Sequence, residues 1–259
     1  MNIMRKKVAV VIPACQEEGF IDKCLDSISL QTMDPSDIGC VVVDNGSTDR
    51  TTAIVRNYPS GYELITESYG YRLGASRTRN IGAKIALERF DPELMVFCDA
   101  DTTLSPNLLE TAHAVISGKY VGGTPRIFYD AGLCKNPIEY FEVKAQELIN
   151  NLFLAWYHNV VRFPFPGYTP VMLADSGYVK KRLSERRYLF DPNVQMGEEL
   201  IFQKELGEYG RSVFITDATA TTSTRRWRKQ GSLKIFLHGV LGQFYKGQPW
   251  DVEGRIIDK

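Results

Sequence analysis

Three continuous apolar, β-branched runs separated by helix-patterned segments fix the kind of sheet this chain can build. The runs cover residues 8–12, 40–43 and 94–98, and a shorter one covers 63–66. Runs that do not alternate with polar residues suit strands buried on both faces, as parallel strands are. Between them, Ile21, Cys24, Leu25 and Ile28 recur at helical spacing, as do Thr51, Ile54, Val55 and Tyr58. A helix is expected over 75–90, where the small residues Ala75, Gly82, Ala83 and Ala86 permit close packing. Strand and helix thus alternate three times before residue 101. That order predicts an α/β fold with a mostly parallel central sheet and helices on both faces.

Three of the strands end in polar residues: Pro13 to Glu17, Asp44 to Ser47, and Asp99 to Asp101. Open α/β sheets bind ligands in the crevice outside the carboxyl ends of their strands. Pro13 is expected to stop the first strand, Asn45-Gly46 to turn the chain, and Ser47 to cap the next helix. No Gly-x-Gly-x-x-Gly follows any of these strands and no Gly-x-x-x-x-Gly-Lys-Ser/Thr loop occurs, which argues against a dehydrogenase or a P-loop enzyme. Asp-x-Asp alone is an acid-rich turn in most proteins. Two carboxylates opening into a crevice can also hold a hard divalent cation against a phosphate.

After residue 101 the pattern loosens. Pro106 opens a helix bearing Leu108, Leu109, Ala112, Val115 and Ile116, and a strand is expected around residues 126–129. From 136 to 160, Ile138, Phe141, Ala145, Leu148, Leu152, Trp156 and Val160 form an apolar helical stripe. The expectation is that this stripe and the aromatic loop to Tyr168 pack on the sheet and wall a ligand pocket. The sharper reading lays part of it on a bilayer, helped by Lys180, Lys181, Arg182, Arg186 and Arg187. Residues 171–174 and 212–216 read as strands, 197–208 as a helix, and 221–229 as a basic loop. No repeat or linker divides the chain, so residues 1–259 are expected to form one domain.

Lys plus Arg and Asp plus Glu both total 31, so no global field points to nucleic acid. The five scattered cysteines suit reduced, buried thiols in a cytoplasmic protein. The start, with residues 1–7 followed by a short apolar run, Pro13, Glu17 and Glu18, reads as the first strand and not as a secretory signal. No segment approaches the roughly 18 apolar residues of a membrane span, so membrane contact is at most peripheral.

Four stretches then line up in order. Residues 11–18 (Val-Ile-Pro-Ala-Cys-Gln-Glu-Glu) and 43–51 (Val-Asp-Asn-Gly-Ser-Thr-Asp-Arg-Thr) are followed by 74–82 (Gly-Ala-Ser-Arg-Thr-Arg-Asn-Ile-Gly) and Asp99-Ala100-Asp101. Together they resemble the motifs of family 2 glycosyltransferases with the GT-A fold, over about the first half of the chain. The resemblance implies an inverting transfer of a sugar from a nucleotide-diphosphate donor to a hydroxyl acceptor, with Mg²⁺ or Mn²⁺ on the diphosphate. It assigns residues 1–130, approximately, to the donor and 131–259 to the acceptor. Donor contacts are expected from Pro13, Ala14, Cys15, Glu17, Asp44, Asn45, Gly74, Arg77, Arg79, Asn80, Asp99 and Ala100. Asp44 would meet the base, Asp99 the ribose and the metal, and Asp101 the metal. Arg77 and Arg79 would add positive charge near the diphosphate, one of them instead lying on a solvated helix face. Cys15 stands where the family often has an aromatic residue, and Gln16 where it usually has Asn, so the base is left open.

In the second half, Gly197-Glu198-Glu199-Leu200 stands where the family carries an acidic pair that opens a helix. Glu199 would be the general base and Glu198 its neighbour. Acids in a first helical turn also simply favour the dipole. Thr224-Arg225-Arg226-Trp227-Arg228 resembles a late basic element, with Arg226 the candidate for the diphosphate. His238 is either a third metal ligand or a core histidine. A retaining transferase, which needs no base at Glu199, and a non-catalytic nucleotide-sugar or glycan-binding module are the competing readings.

Overall fold

The protein is represented by a computed structural model that describes residues 5–159, 169–194 and 198–225. In chain order the elements are β1 (Val8–Ala14), α1 (Ile21–Ser29), β2 (Ile38–Asn45), α2 (Thr51–Arg56), β3 (Glu63–Tyr69), α3 (Ala75–Phe90) and β4 (Leu94–Cys98). Then follow β5 (Thr102–Leu104), α4 (Leu108–Ile116), β6 (Gly122–Asp130), α5 (Pro137–Asn159) and β7 (Val171–Asp175). α6 (Ser176–Arg186), α7 (Glu198–Tyr209) and β8 (Ser212–Ser223) complete them. One sheet of eight strands runs β3-β2-β1-β4-β7-β6-β8-β5. The first four are parallel, with Val8 beside Ile38 on one side and Leu94 on the other. β7 runs antiparallel to β4 and β6, β8 is parallel to β6, and β5 is antiparallel to β8.

The period of two along β1 sends alternate side chains to opposite faces. Val8, Val10 and Ile12 pack with Ile21, Leu25 and Ile28 of α1 and Leu108 and Leu109 of α4. Ala9 and Val11 pack on the other face with Ala83, Ala86 and Phe90 of α3, Tyr178 of α6 and Phe202 of α7. Helices on both faces of a mostly parallel sheet are therefore what the chain forms.

Several local expectations are corrected. Pro13 does not stop β1; the pairing with β2 continues to Ala14 beside Asp44. Its missing N–H costs nothing there, because the ladder with β4 has already ended at Val11 and Phe97. Ser47 does not cap α2; the Asp49 side chain accepts from the Thr51 N–H at 3.0 Å instead. Residues 221–223 are strand and not loop, since Thr102 and Thr103 pair with Thr222 and Thr221. Threonine is polar but β-branched, and a pleated edge suits it. α6 was not anticipated; Asp175 caps it by accepting from the N–H groups of Gly177 and Tyr178.

α5 has the expected periodicity with the face reversed. Ile138, Phe141, Leu148, Leu152 and Trp156 are 73%, 73%, 61%, 60% and 41% exposed, so this stripe does not pack on the sheet. Val143, Glu147, Asn150 and Leu154 point inward. The cause lies in β6, whose pairing with β7 covers Gly122 and Gly123 alone. Beyond them, Asn151 accepts from the Ile127 N–H at 2.8 Å and donates to its carbonyl at 2.6 Å. Glu147 accepts from the Tyr129 N–H at 2.8 Å. Backbone groups on an uncovered strand edge need partners, and polar residues of the helix supply them. Among the described residues no helix is long and apolar enough to cross a membrane.

The seating of α3 depends on Gly82. A Cβ there would lie 2.4 Å from Val11 Cγ1 and 3.2 Å from Val43 Cγ2, so helix and sheet touch without a side chain between them. Gly82→Ala is expected to destabilise the fold by about 1–3 kcal/mol through overpacking. Urea unfolding checks this as a lower midpoint at unchanged slope; a midpoint at or above the parent's would show that the contact is not tight.

Candidate active site

The ends of β1, β2 and β4 meet at one edge of the sheet, and hydrogen bonds between their loops hold the edge open. After β1, Gln16 sits in the left-handed region (φ 60°), where Asn is better tolerated than most residues. Its N–H donates to Ser47 Oγ at 3.0 Å and its Oε1 accepts from the Thr48 N–H at 2.6 Å. The N–H groups of Glu17 and Glu18 donate to Thr51 and Asp49. After β2, the Asp44 carboxylate is buried and accepts from the Ser47 N–H at 3.2 Å and from the hydroxyls of Thr52 and Ser68, both at 2.9 Å. Gly46 turns with φ 70°, and a Cβ there would meet the Tyr71 carbonyl carbon at 2.8 Å. The Asn45 side chain accepts from the N–H groups of Leu73 and Gly74, which fixes the entry into α3.

Deeper in the crevice one guanidinium joins two acidic residues. Arg79 is buried on α3; its Nη2 donates to Asp99 Oδ1 at 2.7 Å and its Nη1 donates to Glu198 Oε1 at the start of α7. Burial disfavours its charge, but Asp99, Glu198 and Glu199 outweigh that and hold it firmly protonated. Glu199 shows the opposite balance. Burial, then the charge of Glu198, pushes its carboxyl up to about 8 against the pull of Arg79, with Asp99 adding to the rise. A carboxylic acid that titrates near neutrality in a crevice is suited to proton transfer.

At the mouth, Arg225 reaches in from the end of β8. Its Nη2 donates to Glu17 Oε1 at 2.6 Å and lies 3.7 Å from Asp101 Oδ2, while its guanidinium stands 4.8 Å from the Phe20 ring centre. Thr222 Oγ1 donates to Asp101 Oδ1 at 3.4 Å. Arg225 was inside the basic run read from sequence but was not singled out. The threonine-rich strand before it is the signal that would have placed it. Arg226 and His238 lie outside the described residues.

The remaining candidates divide by position. Cys15 is half-buried at the crevice, and burial raises its thiol against the pull of Arg72. Pro13 is half-buried beside it, whereas Ala14 and Ala100 are packed in the core. Arg77 is exposed on α3 and Gly74 is exposed at its start. Arg79 and Asn80 turn away from solvent: the Asn80 side chain accepts from the N–H groups of Leu189 and Phe190 and donates to the Phe190 carbonyl. Among the described residues, no three His, Cys, Asp or Glu side chains gather to hold a metal. Asp99 and Asp101, which face Arg79 and Arg225, offer two carboxylates and no closed protein cage, so a Mg²⁺ or Mn²⁺ ion held there would take its other ligands from water and phosphate.

Comparison with known proteins decides the family. The sequence model described as Glycosyl transferase family 2 matches residues 9–166, more than half of the chain. The chain belongs to glycosyl transferase family 2. Glycosyltransferase AglE of Haloferax volcanii is 33% identical over 131 residues, covering 48% of this chain and 41% of that protein. The poly(ribitol-phosphate) beta-glucosyltransferase of Bacillus spizizenii is 33% identical over 105 residues, covering 40% of this chain and 16% of that protein. The chain thus spans less than half the length of these curated relatives. The crystal structure of S. aureus TarS in complex with UDP superposes with a TM-score of 0.63 at 19% identity, covering 86% of this chain and 62% of that one. Mannosyltransferase PcManGT from Pyrobaculum calidifontis, in complex with GDP-Man and Mn²⁺, superposes at 0.56 with 18% identity, covering 89% of this chain and 63% of that one. At such identities the likeness carries the fold, which is the GT-A arrangement expected from the motifs.

In this family 2 chain Gln16 ties the first motif to the second, Asn45 ties the second to the third, Arg79 ties the third to Asp99, and Glu198 of α7 joins them through Arg79. The proton on Glu199 has a consequence for stability. Its carboxyl titrates at the ordinary 4.5 in the unfolded chain and is pushed up to about 8 in the fold, so the unfolded chain loses this proton first as pH rises. Stability is therefore lost between those values and is intact below them. Glu199→Gln removes the penalty: its melting temperature is expected to equal the parent's near pH 5 and to exceed it above pH 8. A difference that does not grow with pH would place the titration elsewhere.

Proposed function

We propose that the chain is an inverting glycosyltransferase that moves a sugar from a nucleotide-diphosphate donor to a hydroxyl acceptor. The observation that carries this reading is the guanidinium of Arg79, which joins Asp99 of the Asp-x-Asp motif to Glu198, the residue next to the candidate base Glu199. Donor carboxylates and candidate base thereby face one crevice. In its ionised form, which grows as pH rises toward 8, Glu199 accepts the proton of the acceptor hydroxyl as that oxygen bonds to the anomeric carbon; the bond from that carbon to the diphosphate breaks, and the nucleoside diphosphate leaves with the electron pair. Asp44 serves the base, Asp99 the ribose, and the loop of Pro13 to Glu17 lines the nucleoside. Arg225 and the exposed Arg77 supply cations for the diphosphate. Asp101, with Asp99, would hold a divalent metal, which when bound neutralises charge on the departing diphosphate.

The solved neighbours support a nucleotide-sugar donor, since TarS structures contain UDP and UDP-GlcNAc and the PcManGT structure contains GDP-Man with Mn²⁺. The non-aromatic Cys15 at the nucleoside wall puts both uracil and guanine nucleotides in the test. We assign roughly the first 130 residues to the donor and the remainder to the acceptor, within one domain. The cysteines are thiols and not disulfides, which fits a reducing cytoplasm. The exposed stripe of α5 supports peripheral membrane contact on the acceptor half.

Calorimetry with UDP and GDP, each with and without Mn²⁺, should show metal-dependent binding of at least one; metal-independent or absent binding of both would end the donor-site reading. Glu199→Gln should lower turnover by about 10²–10⁴-fold while nucleotide affinity holds. The product anomer, read by NMR, should be inverted; retention would favour a transferase that needs no base at Glu199. Sedimentation with anionic vesicles at low salt should carry the chain down, and Leu148→Glu should reduce that. Equal recovery in the supernatant with and without vesicles would remove the membrane contact.

A further inference from the structure

The segment between α6 and α7 has no strand or helix of its own over residues 189–194, yet it leads to Glu198 and Glu199. Its backbone polar groups need partners, and one face of α3 provides them. Asn80 holds both N–H groups of Leu189 and Phe190, at 2.8 and 3.0 Å, and donates to the Phe190 carbonyl at 2.7 Å. Ser76 Oγ donates to the Val194 carbonyl at 3.0 Å. Arg79 donates to Glu198. The three side chains are 3%, 6% and 7% exposed for Ser76, Arg79 and Asn80. Their spacing, three and four residues apart, puts them on one side of the helix. The Phe190 ring also lies 5.6 Å from the Arg79 guanidinium.

We infer that Ser76, Arg79 and Asn80 are positioning residues for the base-bearing helix α7, and that this part of the motif at 74–82 does not bind the donor. α3 is itself seated on β1 and β2 through Gly82. The position of Glu199 is thus set by a chain of contacts from the donor strands, through α3, to the segment before α7. A displacement of about 1 Å in a reacting group can cost roughly a hundredfold in rate, so a modest loosening of this platform reads out in turnover. The inference rests on the proposed role of Glu199 as base.

The test uses Ser76→Ala and Asn80→Ala in the full chain, with UDP-glucose, UDP-N-acetylglucosamine and GDP-mannose as donors in the presence of Mn²⁺. Ser76→Ala removes one hydroxyl from the platform and is the variant expected to fold in any case. Turnover should fall about tenfold or more, while KM for the donor and the affinity for UDP or GDP by calorimetry stay level. Amide exchange should quicken in residues 189–194 and 198–206 and not in 38–45. A loss of nucleotide affinity that matches the loss of turnover would return the motif to the donor and overturn the inference. So would parental turnover in both variants. If the parent chain itself turns over none of these donors, the proposed function has failed on its own; the exchange measurement still decides the platform, and unchanged exchange in 189–206 would sink it.

Discussion

A guanidinium enclosed by protein has to be matched by carboxylates, and Arg79 is matched by two from distant parts of the chain. Asp99 lies 20 residues away and Glu198 lies 119 away. Desolvating an unpaired charge costs several kcal/mol, so removal of either partner penalises the fold as well as the site. The pairing therefore requires the strand end after β4 and the start of α7 to be in place at the same time. The regular first half and the irregular second half are made into one crevice by that requirement.

The sheet gives this crevice its floor. β7 adds to β4 in the antiparallel sense, so the sheet continues past the parallel half and delivers β6 and β8 beyond it. The far end of β8 then returns beside Asp101, where Ser223 donates its N–H to the Asp101 carbonyl at 3.1 Å. That return carries Arg225 to Glu17, across a sequence separation of 208 residues. The cation at the mouth is thus a consequence of strand order; the threonine-rich run before it marks the strand but not the partner it meets.

How much of this was legible follows from the kind of signal each element carries. β1, β2, β4, α1 and α3 could be read because burial on both faces leaves unbroken apolar runs, and because Ile21, Cys24, Leu25 and Ile28 mark a helix side. β5 and the last part of β8 were hidden because Thr102, Thr103, Thr221 and Thr222 register as polar before they register as β-branched. α5 shows a deeper limit. Its periodicity is correct, but Glu147 and Asn151 face inward because the uncovered edge of β6 needs hydrogen-bond partners, a demand that belongs to the sheet and cannot be seen in the helix. The places of Asp44, Asp99 and Asp101, at or just past the ends of β2 and β4, were legible. For Arg79 and Asn80 the sequence located the residues but not their partners, since 189–198 has no pattern that points back to α3.

The two adjacent glutamates, ranked in sequence by the family resemblance alone, differ also in their surroundings. Glu198 has an oxygen occupied by Arg79, so a hydroxyl proton arriving from the acceptor would have to displace an ion pair. Glu199 sits beside that pair, near the charges of Glu198 and Asp99, with Arg79 as their counter-charge. Two carboxylates already pair with the guanidinium, and burial and the charge of Glu198 push the Glu199 carboxyl up against the pull of Arg79, so a proton on Glu199 relieves the surplus of negative charge. The longer Glu in place of the family's Asp changes the reach of the proposed base, but its neighbour Glu198, and not Glu199, carries the ion pair to Arg79. A site that divides anchoring from proton transfer in this way would keep its geometry while the proposed base gains and loses its proton.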